Sequence, residues 1–136
     1  MLVEAYLPGR EFTVGVVGTG AASDCIGVLE IAVPERSVYS YQHKRQDDQI
    51  GYRLADDREA RDAGRVALDA WRIIGGRDAG RVDVRLDHKG KPNILEINVL
   101  PGIEPGRSDL VYCANRAGWT YDELLRRIVA SALAGC

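Results

Sequence analysis

Two neighbouring segments carry the residues best suited to chemistry. From Arg81 to Asp87 charged and aliphatic residues alternate, so a strand here puts Arg81, Asp83, Arg85 and Asp87 on one face and Val82, Val84 and Leu86 on the other. After His88-Lys89-Gly90-Lys91, a return strand puts Leu95 and Ile97 on one face and Ile94, Glu96 and Asn98 on the opposite one. A loop closing on Asp87 and Pro92 predicts that Val84 pairs with Leu95 and Val82 with Ile97, so that the apolar faces coincide. The same register sets Asp83 opposite Glu96 and Arg81 opposite Asn98.

Two carboxylates facing each other across a hairpin repel. At about 5 Å and an effective dielectric of about 20 the repulsion is roughly 3 kcal/mol. A cation between them removes that cost. Carboxylates with an amide oxygen are hard ligands, suited to Mg²⁺ or Mn²⁺ whose shell is completed by phosphate oxygens and water. This makes Asp83, Glu96 and Asn98 the metal candidates, and Arg81 beside them a group that can stabilise negative charge developing in phosphoryl or acyl transfer. The alternative is a solvent-facing strand of mixed charges in which Arg81 and Arg85 neutralise Asp83.

The elements that must position these residues are readable in outline. Leu2–Leu7 reads as a short strand, Pro8-Gly9 as a turn, Glu11–Gly18 as a β-branched run and Ile26–Val33 as a further strand. Val38–Lys44 has an extended pattern, and Arg45–Tyr52 is polar and reads as a mobile loop. Asp56–Ile74 is the clearest helix, with Asp56 as cap, Glu59 completing a capping box, and Ala60, Ala63, Ala67, Trp71 and Ile74 in one apolar stripe. Gly75-Gly76 ends it. Asp109–Ala117 reads as a short helix stopped by Gly118, and a last helix follows Thr120 and Glu123. Strands segregated from helices imply an α+β fold, a mostly antiparallel sheet with helices packed on one face.

Composition sets the outer bounds. The chain has 136 residues, 46% of them hydrophobic and 28% charged, which fits a single globular domain rather than a disordered or fibrous chain. A formal charge of −2 supplies no basic footprint for nucleic acid or an acidic membrane surface. Cys25, Cys113 and Cys136 lack metal-ligand spacing, and no apolar run reaches membrane-spanning length. A cytoplasmic protein with reduced thiols is the expectation.

Several strings lie in the same order as in one known family. Gly80-Arg81-Val82-Asp83-Val84, then Leu95-Glu96-Ile97-Asn98 and Leu100-Pro101-Gly102, resemble the metal-site region of the D-alanine–D-alanine ligases, members of the ATP-grasp superfamily. Glu4-Ala5-Tyr6-Leu7 and Gly9-Arg10-Glu11-Phe12-Thr13-Val14 look like that family's adenine hinge and the strand after it. Tyr39-Ser40-Tyr41 with Lys44 resembles its loop over the substrate, and the similarity runs on through Ala117-Gly118 to the last helix.

The resemblance implies a role for each candidate. Glu4 and the backbone of Ala5 and Leu7 would meet the adenine of ATP, and Glu11 the ribose. Asp83, Glu96 and Asn98 would hold the Mg²⁺ or Mn²⁺ that bridges the nucleotide phosphates. Arg81 and the backbone N–H of Gly102 would steady an oxyanion, Lys44 would touch phosphate or the acceptor carboxylate, and Ser108 would help hold that carboxylate. The implied reaction is amide formation in two steps: a carboxylate attacks the γ-phosphate of ATP to give an acyl phosphate, and an amine displaces phosphate. The implied setting is peptidoglycan biosynthesis, with a small amino acid or peptide as substrate. Taken singly, Glu4 and Glu11 read as surface strand charges, Lys44 as part of a basic loop, Gly102 as a turn residue and Ser108 as a helix cap.

The pattern also departs from the family. The substrate domain and the glycine-rich lid have no counterpart in the chain, so it reads as the C-terminal part of such an enzyme, whose remainder lies in the same gene or in a partner chain. A homodimer is the expectation at full length. Arg45 stands where the family carries an aromatic residue that helps select the acceptor, and the stretch from Gly102 to Ser108 is slightly longer than usual. Both changes bear on the substrate and leave the ATP and metal residues untouched. The competing class is a non-catalytic remnant that binds nucleotide or a partner through the same surface.

Overall fold

A computed structural model describes residues 1–32 and 51–135. The expected extended segment Val38–Lys44, with Lys44 and Arg45, lies outside the described residues. Within them the strands are β1 (Glu11–Val17), β2 (Asp24–Ala32), β3 (Gly51–Leu54), β4 (Ala79–Leu86) and β5 (Pro92–Asn98). The helices are α1 (Arg58–Ile73), α2 (Asp109–Arg116) and α3 (Tyr121–Ala134), with one 3-10 turn at Gly20–Ala22. The strands form one antiparallel sheet in the order β3-β2-β1-β4-β5.

β1 is the central strand, and both of its faces are covered. Phe12, Val14 and Val16 join Val28, Val82, Val84 and Leu86 against Ala60, Ala63, Ala67 and Trp71 of α1. On the other face Val17, Ile26, Leu29 and Ala79 pack with Leu110, Val111, Cys113, Ala114 and Leu124 of α2 and α3. The α+β class and the antiparallel sheet are as expected, but the helices are divided between the two faces rather than gathered on one. The physical reason is β1 itself: a strand buried on both sides needs cover on both sides.

Close approach on each face depends on missing side chains. On the α1 face, Trp71 is fully buried, donates its indole N–H to the Gly18 carbonyl at 3.1 Å and lies flat on Gly76 and Gly80. A Cβ at Gly80 would stand 2.1 Å from the Trp71 ring. On the α2 face, a Cβ at Gly15 would meet the Cβ of Cys113 at 2.9 Å. Gly15 is the cross-strand partner of Arg81, so α2 comes down on the sheet beside the charged hairpin.

Several local expectations are corrected. Leu2–Leu7 forms no strand: Leu2, Val3 and Tyr6 are exposed, and among the described residues no strand pairs with them. Residues 51 and 52, read as loop, belong to edge strand β3. α1 is capped by Asp57, not Asp56, with the Asp57 carboxylate accepting from the Ala60 N–H at 3.1 Å. Glu59 completes no capping box, because its carboxylate turns to Arg10. Ile74 is half exposed beyond the helix end.

The β4–β5 register holds where it matters and slips near the turn. Asp83 faces Glu96, Val82 faces Ile97 and Arg81 faces Asn98, as expected, but Val84 pairs with Ile94 and Leu86 with Pro92. The turn therefore closes one pair earlier, on Leu86, and a bulge between Asp83 and Val84 restores the register. Leu95, the extra residue, is half exposed.

A second polar feature clamps β1 to β2 and to the start of α1. The Arg10 guanidinium binds Glu30 at 2.7 and 2.8 Å, Asp57 at 2.9 and 3.0 Å and Glu59 at 2.8 Å, and lies over the Phe12 ring. These bonds hold the Glu30 carboxyl down at about 2 and push Asp57 below the usual carboxylate range as well.

Two outcomes follow. Gly80→Ala should cost about 1–3 kcal/mol by driving a methyl group into the Trp71 ring, measurable by urea denaturation. Arg10→Met should destabilise the fold by about 2 kcal/mol, and it should also change the acid limb. The Glu30 pKa lies lower in the folded than in the unfolded chain, so its stabilisation is complete above about pH 4.5 and fades as pH falls toward about 2. The fall in melting temperature across that window should be shallower in Arg10→Met than in the wild type.

Candidate active site

The charged face of the hairpin lies on the α2 side of the sheet. β1 contributes Glu11 and Thr13, β4 contributes Arg81, Asp83 and Arg85, and β5 contributes Glu96 and Asn98. Strand alternation puts these residues on one face because their cross-strand partners match: Glu11 with Arg85, Thr13 with Asp83, Asp83 with Glu96 and Arg81 with Asn98.

Asp83 is held at both oxygens. The buried Thr13 hydroxyl donates to Oδ1 at 2.6 Å, and Arg81 Nη2 donates to Oδ2 at 3.0 Å. Arg81 also reaches α2, where Nη1 donates to Asp109 Oδ2 at 2.9 Å. The Tyr52 hydroxyl donates to the other oxygen of Asp109 at 2.9 Å. Arg81 thus neutralises Asp83, whereas Arg85 pairs with Glu11 at 3.3 Å.

Burial raises the Asp83 pKa despite the Thr13 and Arg81 bonds, and burial with the nearby Asp83 charge raises that of Glu11 despite Arg85. Burial opposes the charge of Arg81, but Asp83 and Asp109 outweigh it and raise its pKa. Counted by side chains, Glu11, Asp83, Glu96 and Asp109 stand here against two arginines, Arg81 and Arg85. Glu96, opposite Asp83, lies on the exposed part of β5.

The donor chemistry fits a hard divalent cation. Among the described residues no group of three or more His, Cys, Asp or Glu side chains could hold a metal ion. Two opposed carboxylates with the Asn98 amide are what this face offers, so phosphate oxygens and water would have to complete the shell. Asp83 has lone pairs left after its two hydrogen bonds. In the structure, Asn98 Oδ1 accepts from the Leu100 N–H at 3.1 Å, which fixes the amide at the strand end.

Beside this cluster a polar pocket of about 280 Å³ is lined by Arg81, Pro101, Gly102, Glu104, Arg107, Ser108 and Asp109 among others. It brings Arg81, Gly102 and Ser108 together. Ser108 occupies the N-cap position of α2 without capping it: its hydroxyl accepts from the Glu104 N–H at 2.8 Å, folding the loop back on itself. Glu4, Ala5 and Leu7 lie in the irregular segment before β1, with Glu4 and Ala5 exposed.

Residues 1–130 match the family described as D-ala D-ala ligase C-terminus. The chain belongs to that family. Over 135 residues it is 34% identical to the D-alanine–D-alanine ligase of Cupriavidus pinatubonensis and 38% identical to that of Bordetella petrii. Each alignment covers 97% of this chain and 41% of the relative, so the ligase C-terminus spans about two fifths of the curated proteins it matches. The crystal structure of the D-alanine–D-alanine ligase from Bacillus anthracis complexed with ATP shares the fold, with a TM-score of 0.74 at 22% identity over 96% of this chain and 40% of that one. The Coxiella burnetii ligase structure gives 0.74 at 19% identity, over 96% of this chain and 34% of that one.

Sequence reasoning missed three members of the cluster. Thr13 shares the alternation of Glu11 and was recoverable from it. Asp109 stands at the start of a short helix, where an acidic residue has a sufficient local reason to be. Tyr52 ends a polar stretch whose pattern reads as a loop.

The opposed carboxylates yield a direct test. At a concentration several times the dissociation constant, Mg²⁺ should add about 1 kcal/mol of stability, read as a rise in melting temperature of about 4 °C. Asp83→Asn should reduce the gain, and Asn98→Ala should reduce it less.

Proposed function

We propose that this chain is the nucleotide- and metal-binding C-terminal part of an ATP-dependent carboxylate–amine ligase acting in the cytoplasm on a small amino acid or peptide. The observation that carries the reading is the Asp83–Glu96 opposition beside a doubly ion-paired Arg81, in a chain whose family match runs from residue 1 to residue 130. Relatives in which this portion is about two fifths of the length support placing the remaining substrate-binding parts outside it.

On this reading Asp83, Glu96 and Asn98 hold Mg²⁺ or Mn²⁺, which supplies charge neutralisation at the nucleotide phosphates. Glu4 with the backbone of Ala5 and Leu7 meets the adenine, and Glu11 the ribose. A substrate carboxylate attacks the γ-phosphate of ATP to give an acyl phosphate and ADP. The acceptor amine then attacks the acyl carbon, and phosphate leaves as the amide forms. Arg81 and the Gly102 N–H donate to the oxyanion that builds up on the acyl oxygen in that second step. The protein's work is positioning and charge stabilisation.

Lys44, Arg45 and Ser108 govern the acceptor. Ser108 lines the polar pocket next to Arg81, where an acceptor carboxylate finds a hydroxyl and a cation. Loops around a rigid sheet are where specificity is usually set. Arg45 and the Gly102–Ser108 loop therefore leave the identity of the acceptor amino acid to experiment, with D-alanine the family's reference substrate.

The test joins this chain to the amino-terminal portion of a relative and follows amide product and phosphate release against a panel of amino acids. Arg81→Ala should lower kcat by about 100-fold or more, on the scale of losing an oxyanion donor. Replacing Arg45 with an aromatic residue should shift acceptor preference with little change in the KM for ATP. Unchanged amide formation in Arg81→Ala would show the hairpin to be scaffold.

A further inference from the structure

Arg81 presents five N–H donors, and the structure shows how its fork is aimed. Nη2 is held by Asp83, two residues along the same strand, and Nη1 by Asp109, which belongs to α2 on a separate element. Nε is buried and has no hydrogen-bond partner among the described residues. One grip from its own strand leaves a guanidinium free to rotate about the last side-chain torsions, whereas a second grip from another element fixes its plane.

Asp109 is itself fixed at both oxygens, by Arg81 on Oδ2 and by the Tyr52 hydroxyl on Oδ1. The Tyr52 ring stacks on Tyr112 with centroids 5.6 Å apart, and the Tyr112 hydroxyl donates to the Gly106 carbonyl at 2.6 Å. Gly106 lies in the loop joining Gly102 to Ser108, whose ends line the polar pocket. The fork is thus anchored from β3, from α2 and from the loop that shapes the pocket.

We infer that Asp109, held by the Tyr52 hydroxyl, is a positioning residue that aims the Arg81 guanidinium at the reacting acyl group. The inference rests on the ligase reading above. An acidic residue at the start of α2 also has a plain structural role toward the helix dipole, so the test must separate aiming from stabilising.

The first readout needs only this chain. With ¹⁵N-labelled arginine, the Arg81 Nε–H signal, assigned by its loss in Arg81→Lys, should exchange slowly in the wild type. Asp109→Asn and Tyr52→Phe should each speed that exchange about fivefold or more, and unchanged exchange in both would overturn the pinning. The second readout uses the ligase assembled with the amino-terminal portion of a relative. Asp109→Ala should lower kcat about 100-fold and Asp109→Asn about tenfold, the range seen when a partner that orients a functional group is removed, with the KM for ATP within about twofold. In an Arg81→Ala background, Asp109→Ala should add no further loss, because it acts only through Arg81. Additive losses, or a loss confined to KM, would overturn the proposal. If Asp109→Ala does not fold, Asp109→Asn and Tyr52→Phe in the same two backgrounds carry the comparison. Failure of the underlying reading looks different: Arg81→Ala alone would then leave amide formation intact.

Discussion

A guanidinium clamped between two carboxylates, on the face of a sheet and under a helix, is the interaction on which the site depends. Arg81, Asp83 and Asp109 each keep only about a fifth to a quarter of their side-chain surface exposed. Charges that far from water are costly unless each is paired and hydrogen-bonded. Here the partners come from four elements: Asp83 and Arg81 from β4, Thr13 from β1, Asp109 from α2 and Tyr52 from β3. Removing any one leaves a buried charge short of a partner, so the network ties the site's geometry to the placement of four elements. That placement depends in turn on Gly15, whose missing side chain lets Cys113, and with it α2, settle against the sheet beside Arg81.

The sheet divides labour between its faces. One is dry: aliphatic residues of β1, β2 and β4 meet three alanines and a tryptophan of α1, with the indole N–H satisfied by a carbonyl. The other is split along its length, apolar under α2 and α3 near Val17, Ile26 and Ala79, and charged toward Glu11, Thr13 and Asp83. Because β4 alternates strictly, the residues that anchor it to α1 and the residues that carry charge are interleaved in sequence and opposite in space. A one-residue slip of β4 would exchange core for site, which is why register there is strongly specified.

That alternation explains what was legible in the sequence. Asp83 opposite Glu96 and Arg81 opposite Asn98 follow from matching apolar faces, and the structure has both pairs. The turn chemistry did not follow: the loop closes on Leu86, and a bulge at Leu95 compensates, so the right pairs were reached through a wrong loop. Bulges leave little trace when the extra residue is an aliphatic one that would suit either face. The split of helices across the sheet was visible only in the buried character of β1, where Glu11-Phe12-Thr13-Val14 alternates but Gly15-Val16-Val17 does not. Asp109 and Tyr52 were missed because their partners lie 28 and 57 residues away in sequence, beyond the reach of any local pattern. The strand expected at Leu2–Leu7 failed for the converse reason: strand propensity depends on a neighbour, and among the described residues no strand pairs with this segment.

On the proposed reading, the same geometry separates reaction from recognition. Arg81, Asp83, Glu96 and Asn98 stand on a hairpin whose register is fixed by α1 packing on its other side, so their mutual distances are set by the core. Gly102, Glu104, Arg107 and Ser108 stand on the connection between β5 and α2, held by short-range bonds such as the one from the Glu104 N–H to the Ser108 hydroxyl. Lengthening that loop can reshape the pocket without moving the hairpin, because the loop's anchors are the end of β5 and the start of α2. The link between the two is Asp109, the first residue of α2 and a lining residue of the pocket, which grips Arg81 directly. A change of loop that tilted the first turn of α2 would therefore reach the charged site through that single carboxylate. On the proposed reading, substrate range can therefore change freely only so long as Asp109 keeps its grip on Arg81.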